Sequence, residues 1–383
     1  MSTQFSFRSK YLEPSPLQDL LKKIKSLQAD GREIINLGVG ESFLNTPEAI
    51  ERHAQKAINL HQTRYTPASG SIELRAGIAQ RYRVKPEQVV ISNGAKSVAT
   101  AVFWTLIDQD QPVLMPTPHY PPYFFGIKSL GGKVYLLECD KNFVPVTSEM
   151  ERYLQALLAN GFVGLICLLL NTPNNPTGAV YSDSVVKEIS QLAKRYRQGT
   201  AGIAVISDEC YYPVGFEQSY LRFDPNAVII GSFSKAYAMT GWRIGYGIMP
   251  AELAQKVTLY LETFSGCPNS IGQCAAVEAL NQEPLIHCYA KQRELLWCWF
   301  KRLNIFCGGA DGGFYAFPDF SPFMNEKNGI NSILFAEHLL NQANVAVVPG
   351  IAFGDFDNCC RITCAVSENQ LRAGLERIEK IIC

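Results

Sequence analysis

Nothing in this 383-residue sequence favours one sign of charge: Lys and Arg together number 35, and so do Asp and Glu. Without a basic excess there is no field to hold nucleic acid or an anionic membrane surface, so a small-molecule partner is expected. Long apolar runs are missing too. The run Val163 to Leu170, interrupted by Gly164, is far too short to span a bilayer, and the first ten residues have no hydrophobic signal region. Twelve cysteines occur without a Cys-x-x-Cys pair, and the five histidines (53, 61, 119, 287 and 338) have no metal-ligand spacing. A zinc site is therefore not expected. Cysteines inside apolar runs, such as Cys167 and Cys274, read as reduced, buried thiols, and the cytosol is the expected compartment.

Two nucleotide-binding signatures are absent as well. Gly38-x-Gly40 would need glycine at 43 for a dinucleotide turn, and Phe43 stands there; the pair Gly132-Lys133 continues with Val134, which is not a P-loop. No internal repeat or low-complexity segment is found.

The composition that remains is 47% apolar, enough for a sizeable core in a chain long enough for two domains. The richest stretch is Ser232-Phe-Ser-Lys-Ala-Tyr-Ala-Met-Thr-Gly-Trp-Arg-Ile-Gly-Tyr246, which follows the β-forming run Ala227 to Gly231. It puts an amine, two hydroxyls and a guanidinium together. Desolvation and a neighbouring cation favour a free amine, the form that attacks a carbonyl to make a Schiff base. Ser232, Ser234 and Arg243 form a donor set for phosphate. An aldehyde carrying a phosphate, pyridoxal phosphate above all, fits both requirements. Ser232-x-x-Lys235 also matches a serine β-lactamase motif, but the Ser-Asp-Asn and Lys-Thr-Gly that such enzymes need do not follow.

The stretch resembles the Ser-x-Ser-Lys-(five)-Gly-x-Arg-x-Gly-Tyr signature of the class I/II aminotransferases, which are pyridoxal-phosphate enzymes of fold type I. Further segments extend the resemblance from about Ile34 to Arg361. Gly38-Val-Gly-Glu-Ser-Phe-Leu resembles the family's Gly-x-Gly-Glu-Pro-x-Phe segment, with Ser42 and Phe43 in place of the common Pro-Asp; the resemblance sets the Gly40 amide against a substrate carboxylate. Arg64 to Arg75 resembles an element whose tyrosine, here Tyr65, reaches the phosphate of a neighbouring subunit and implies a homodimer with shared sites; a surface turn is the other reading of Tyr65. Gly94, Ala95 and Lys96 open a helix after a strand, where amides and helix dipole make an anion site, and they match the family's phosphate turn. Tyr120 matches the ring stacked on the pyridine, although Tyr120 and Tyr123 also suit a core. Asn171-Thr-Pro-Asn-Asn-Pro-Thr-Gly178 matches the loop whose asparagine, Asn175, donates to the cofactor's 3-oxygen, which Tyr211 shares.

Asp208 ends the apolar run Gly202 to Ser207, where ligands bind in open α/β sheets, and a carboxylate there suits the ring nitrogen; a helix cap is the other reading. Arg361 lies on the apolar stretch Cys360 to Val366, where a buried arginine needs a partner; the resemblance supplies the substrate carboxylate, and a structural ion pair is the alternative.

The implied fold is α/β: a large domain with a mostly parallel seven-stranded sheet, its strands near residues 90, 113, 134, 166, 204, 229 and 246, and a smaller α+β domain. Residues 1–44 form an N-terminal arm and part of the small domain, 45–275 the large cofactor-binding domain, and 276–383 the small C-terminal domain, with helices over 251–280 and 284–301. The implied activity is ping-pong transamination between an amino acid and a 2-oxo acid. Lys235 carries the cofactor and, once displaced, moves the α-proton. A carbon-sulfur β-lyase is the alternative chemistry on the same residues. A ligand-sensing regulator would need a DNA-binding domain, for which residues 1–30 are too short and carry no basic face. The segment around Pro14-Ser15 is expected to shape the side-chain pocket, and the residues do not choose among aspartate, aromatic, alanine-like and diaminopimelate-like donors.

Overall fold

The computed structural model describes residues 5–11, 16–197 and 201–383, so the expectation for Pro14-Ser15 lies outside the described residues. A short strand β1 (Ile35–Asn36) precedes a sheet built from β2 (Val89–Ser92), β3 (Pro112–Pro116), β4 (Lys133–Leu137), β5 (Gly164–Asn171), β6 (Ala201–Asp208), β7 (Val228–Ser232) and β8 (Gly245–Ile248). These are the seven expected strands, in the order β2-β8-β7-β6-β5-β3-β4. All neighbours run parallel except β8, which is antiparallel to both β2 and β7.

The leucine-rich run in β5, with Ile166 and Cys167, has no polar alternation because both faces are covered. Its Cys167 and Leu169 enter one core with Val113 and Ile206, while Ile166, Leu168 and Leu170 enter the other with Leu114 and Val205. The edge strand β4 begins at an exposed Lys133, a charge that discourages pairing with another sheet.

One end of the strands, along the sheet, collects the chemistry. Asn171 is level with Asp208, and Ser232 with Gly245, which in turn faces Ser92. Because β8 is antiparallel, its first residue lies beside the last residues of its neighbours.

The C-terminal part adds an antiparallel sheet from β9 (Tyr315–Ala316), β11 (Val348–Pro349) and β12 (Cys360–Thr363), while β1 pairs in parallel with β10 (Val345–Ala346). The expected continuous helix over 251–280 is two helices, Ala251–Phe264 and Ser270–Ala279. Gly266, at φ 71°, and Pro268 break the run, and the second helix restarts under an Asn269 cap. Cys274 is half-buried, not buried, with its thiol on Gln62 Oε1 at 3.2 Å. No helix among the described residues is long and apolar enough to cross a membrane.

Candidate active site

Lys235 sits in a one-turn helix, Phe233–Ala236, at the end of β7, where Ser232 closes the turn by accepting the Ser234 amide at 3.0 Å. The turn opens on a cavity of about 320 Å³ whose wall includes Lys235, Ser232, Ser234 and Arg243. Asp208 reaches the same cavity from the end of β6, with Tyr211 just beyond it. Tyr120 and Asn175 enter from the loops after β3 and β5, and Arg361 from β12. Ala95 and Lys96 line it at the start of helix Ala95–Leu106. Gly40 completes the ring. Residues spread over more than 300 positions thus meet in one place.

Two glycines permit the phosphate-sized corner. Gly94 caps its helix at φ 86°, and a Cβ there would overlap the Arg243 guanidinium. A Cβ on Gly245 would overlap the Ala95 amide nitrogen. Arg243 itself adopts φ 59°, which turns its side chain toward that helix start. The first amides of a helix have no acceptor within it, so those of Ala95 and Lys96 can receive an anion beside Arg243, Ser232 and Ser234.

The carboxylate of Asp208 is buried and well held. Tyr123 Oη donates to Oδ2 at 2.7 Å and the Cys210 amide to Oδ1 at 3.0 Å. Burial nonetheless raises its pKa, while these bonds oppose the rise. Tyr123 is 4% exposed and is the functional neighbour that residue patterns left as a core aromatic. Its signal was its place three residues after Tyr120, on the first turn of helix Pro121–Ser129.

Arg361 is 2% exposed. Its Nη1 donates to Asn175 Oδ1 at 2.8 Å and its Nη2 to the Gly38 carbonyl at 2.6 Å, whereas Nε is buried without a partner. Its guanidinium lies 4.3 Å from the Tyr315 ring centroid. The structural ion pair considered for Arg361 is not what holds it: both of its bonds go to neutral oxygens. Because Asn175 accepts from Arg361 through its oxygen, its NH2 is the end left for the cavity.

Three further expected site residues have these surroundings. The Gly40 carbonyl, not its amide, makes the observed contact, taking Lys235 Nζ at 2.5 Å. Tyr211 Oη donates to Tyr315 Oη at 3.3 Å, and burial pushes the Tyr211 phenol up. Tyr65 is 95% exposed and outside the cavity wall. Tyr315 and Thr240, which also line the cavity, carried no assignment in the sequence.

Among the described residues the wall holds four cations, Lys96, Lys235, Arg243 and Arg361, against one carboxylate, Asp208. Burial and then the proximity of Arg243 lower the Lys96 pKa. So cationic a cavity suits ligands with several negative charges. An anion-ready helix start beside Arg243, a lysine at the end of β7, a buried acid and a buried arginine with an unpartnered Nε together fit pyridoxal phosphate with an amino acid beside it.

Residues 32–378 match the family described as aminotransferase class I and II, and the chain belongs to that family. It is a pyridoxal-phosphate-dependent transaminase, moving an amino group between an amino acid and a 2-oxo acid. Among relatives, a probable aspartate/prephenate aminotransferase of Aquifex aeolicus is 32% identical over 98% of both chains. An aspartate aminotransferase of Bacillus subtilis is 30% identical over 97% of both. Among solved structures, the Thermus thermophilus aspartate aminotransferase with maleate has a TM-score of 0.88 at 30% identity, covering 99% of this chain and all of that one. Nothing in these likenesses favours the β-lyase.

Proposed function

We propose that the residues brought together at this end of the strands carry the transamination in the roles that their chemistry suits, and that the amino donor is a dicarboxylic amino acid of the aspartate type. The observation that carries the role assignment is the convergence of Lys235, Asp208, Asn175, Arg243 and Arg361 on one cavity. Arg243, Ser232, Ser234 and the amides of Ala95 and Lys96 hold the phosphate, and Tyr120 packs on the ring. Asp208 keeps a proton at the ring nitrogen, while Asn175 and Tyr211 donate to the ring oxygen. When bound, pyridoxal phosphate supplies the aldehyde that links to the lysine and the ring that accepts electrons as the Cα–H bond breaks.

Arg361 holds the α-carboxylate as a planar fork, with Asn175 and the Gly38 carbonyl fixing its orientation. Lys235 moves the α-proton as base and then as acid, and the Gly40 carbonyl holds its ammonium when it is free. After the oxo acid leaves, a second oxo acid takes the amino group by the same steps, the ping-pong order.

The donor class follows from charge. Once the phosphate and α-carboxylate are placed, Lys96 remains on the wall, 5.9 Å from the Tyr120 ring. A cation beside an aromatic ring suits a second carboxylate. The names of the relatives, aspartate and aspartate/prephenate aminotransferases, and the maleate of the Thermus structure support the same class.

A homodimer accounts for the exposed apolar residues Tyr65, Ile72, Trp104, Leu259 and Phe264, with Tyr65 offered to the neighbouring site. The twelve unpaired thiols suit the cytosol. Residues 1–44 supply the arm and part of the small domain, 45–275 the large cofactor-binding domain, and 276–383 the small C-terminal domain.

Two experiments test the reading together. Borohydride reduction of the loaded enzyme should tag Lys235, and Lys235→Ala should abolish the tag and turnover while the fold survives. A panel of donors against 2-oxoglutarate and pyruvate should favour aspartate and glutamate, with Lys96→Ala raising their KM at least ten-fold and that of alanine less than two-fold. A tag elsewhere, or a panel led by neutral donors, overturns the corresponding part.

A further inference from the structure

The segment Gly38–Leu44 bonds to two cations of the cavity: Gly38 takes Arg361 and Gly40 takes Lys235. Its first end is firmly held. Leu37 is fully buried, its amide donates to Ala346 O at 2.9 Å, and its carbonyl takes the Thr363 amide at 2.8 Å. Beyond Gly38 the chain contains Gly40, where even a Cβ would overlap the Tyr315 hydroxyl. A backbone so rich in glycine has more conformations to lose, so something outside it must select one.

Ser42 and Tyr289 provide that selection. Tyr289 is 0% exposed, and its hydroxyl donates to Ser42 Oγ at 2.6 Å. Ser42 Oγ also accepts the Leu44 amide at 2.9 Å, closing a local turn. The Tyr289 ring is itself wedged. Phe43 lies edge-on at 6.3 Å and Phe314 at 5.5 Å, and Phe314 packs against Tyr211 at 5.4 Å. The Lys235 Nζ is 5.9 Å from the same Phe314 ring. Further along, the Phe43 amide donates to Ala365 O at 3.1 Å, and the Thr240 hydroxyl donates to Glu41.

We propose that Tyr289 is a positioning residue for the transamination: through Ser42 it fixes the Gly40–Leu44 turn so that the Gly40 carbonyl meets the Lys235 amine in the geometry from which that amine exchanges the α-proton. The inference rests on the assignment of Lys235 as the cofactor-bearing lysine. Ser42 stands where the family commonly has proline, so a hydrogen bond here does what a ring does when proline fixes the backbone. A displaced turn would move Gly40 and leave Gly38, whose neighbour Leu37 is tied on both sides. The effect should therefore fall on the proton-transfer step, and carboxylate binding by Arg361 should be spared.

The test uses the cofactor-loaded enzyme and the variants Tyr289→Phe, Ser42→Ala, their combination, and Ser42→Thr. Tyr289→Phe should lower kcat five- to ten-fold, leave the KM for the amino donor within two-fold, and speed deuterium exchange in the peptide that spans Gly38–Leu44. Ser42→Ala, at a half-buried site that tolerates truncation, should give the same loss, and the combination should lose no more than either alone. Ser42→Thr keeps the oxygen and should keep kcat. Tyr289→Phe and Ser42→Ala that both stay within two-fold in kcat, or losses that multiply in the combined variant, overturn the tether. Borohydride tagging separates this from the underlying assignment: an unaltered enzyme tagged at a residue other than Lys235 overturns the assignment, whereas a Lys235 tag with unchanged variant kinetics overturns the tether alone.

Discussion

Tyr123 and Asp208 are joined by a 2.7 Å hydrogen bond between residues 85 positions apart, one on the first turn after β3 and the other on the last residue of β6. Burial alone would favour the neutral acid, and the tyrosine hydroxyl opposes this by donating to the charged form. Tyr123→Phe should remove a bond to an ionised group that contributes about 1.5–3 kcal/mol. The expected outcome is a loss of ten-fold or more in kcat/KM, with weaker retention of pyridoxal phosphate on dialysis. Steady-state kinetics and cofactor absorbance check it, and unchanged values for both would leave Tyr123 a packing residue.

Arg361 yields a second expectation through its unpartnered Nε and its two neutral acceptors. Lysine at this position keeps the charge and loses the planar fork. Arg361→Lys should raise the KM for every amino donor by ten-fold or more, and Arg361→Ala by about a hundred-fold, with smaller changes in kcat. Since the α-carboxylate is common to all donors, the increase should not depend on the side chain. An unchanged KM would return Arg361 to a structural role.

How much of this was legible in the sequence depends on whether neighbours in space are neighbours along the chain. Ser232, Ser234, Lys235 and Arg243 fall in one stretch, Asp208 ends an apolar run, and Asn175 lies in the loop that directly follows another, so strand and motif are read together. The inner strands were legible because burial on both faces leaves an apolar run bounded by turns, and the edge strand β4 because its apolar Val134 to Leu137 follow a glycine turn. Contacts made by packing were not. Tyr123 on Asp208, Tyr211 on Tyr315 and Tyr289 on Ser42 join segments whose approach only the tertiary fold decides. The break at Gly266 and Pro268 was visible in composition, yet the apolar periodicity on either side outweighed it.

Gly94 offers a test of the phosphate corner that does not touch a charged group. Its φ of 86° is strained for any residue with a Cβ, and that Cβ would overlap the Arg243 guanidinium. Gly94→Ala should therefore displace Arg243 from the helix start. Pyridoxal phosphate affinity, measured by titration of the cofactor-free chain, should fall at least ten-fold, and thermal stability without cofactor should fall by about 1 kcal/mol or more. Unchanged affinity would mean that Arg243 does not meet the phosphate there.

Glu209 gives a pH dependence of stability independent of catalysis. It is 2% exposed, and its Oε1 accepts the Tyr220 amide at 2.8 Å and Ser207 Oγ at 3.0 Å, while Oε2 has no partner. Burial pushes its pKa up to about 7, against the hydrogen bonds, which lower it. A carboxyl with a raised folded pKa binds its proton more tightly when folded, so its contribution is present at low pH and is lost as pH rises from about 4.5 toward 7. Glu209→Gln keeps the accepting oxygen and removes the titration. Relative to this variant, the unaltered chain should lose about 3 kcal/mol of stability between pH 4.5 and pH 7.5. Urea unfolding of both at the two pH values measures the difference directly, and parallel changes would show that folding leaves the Glu209 carboxyl unshifted.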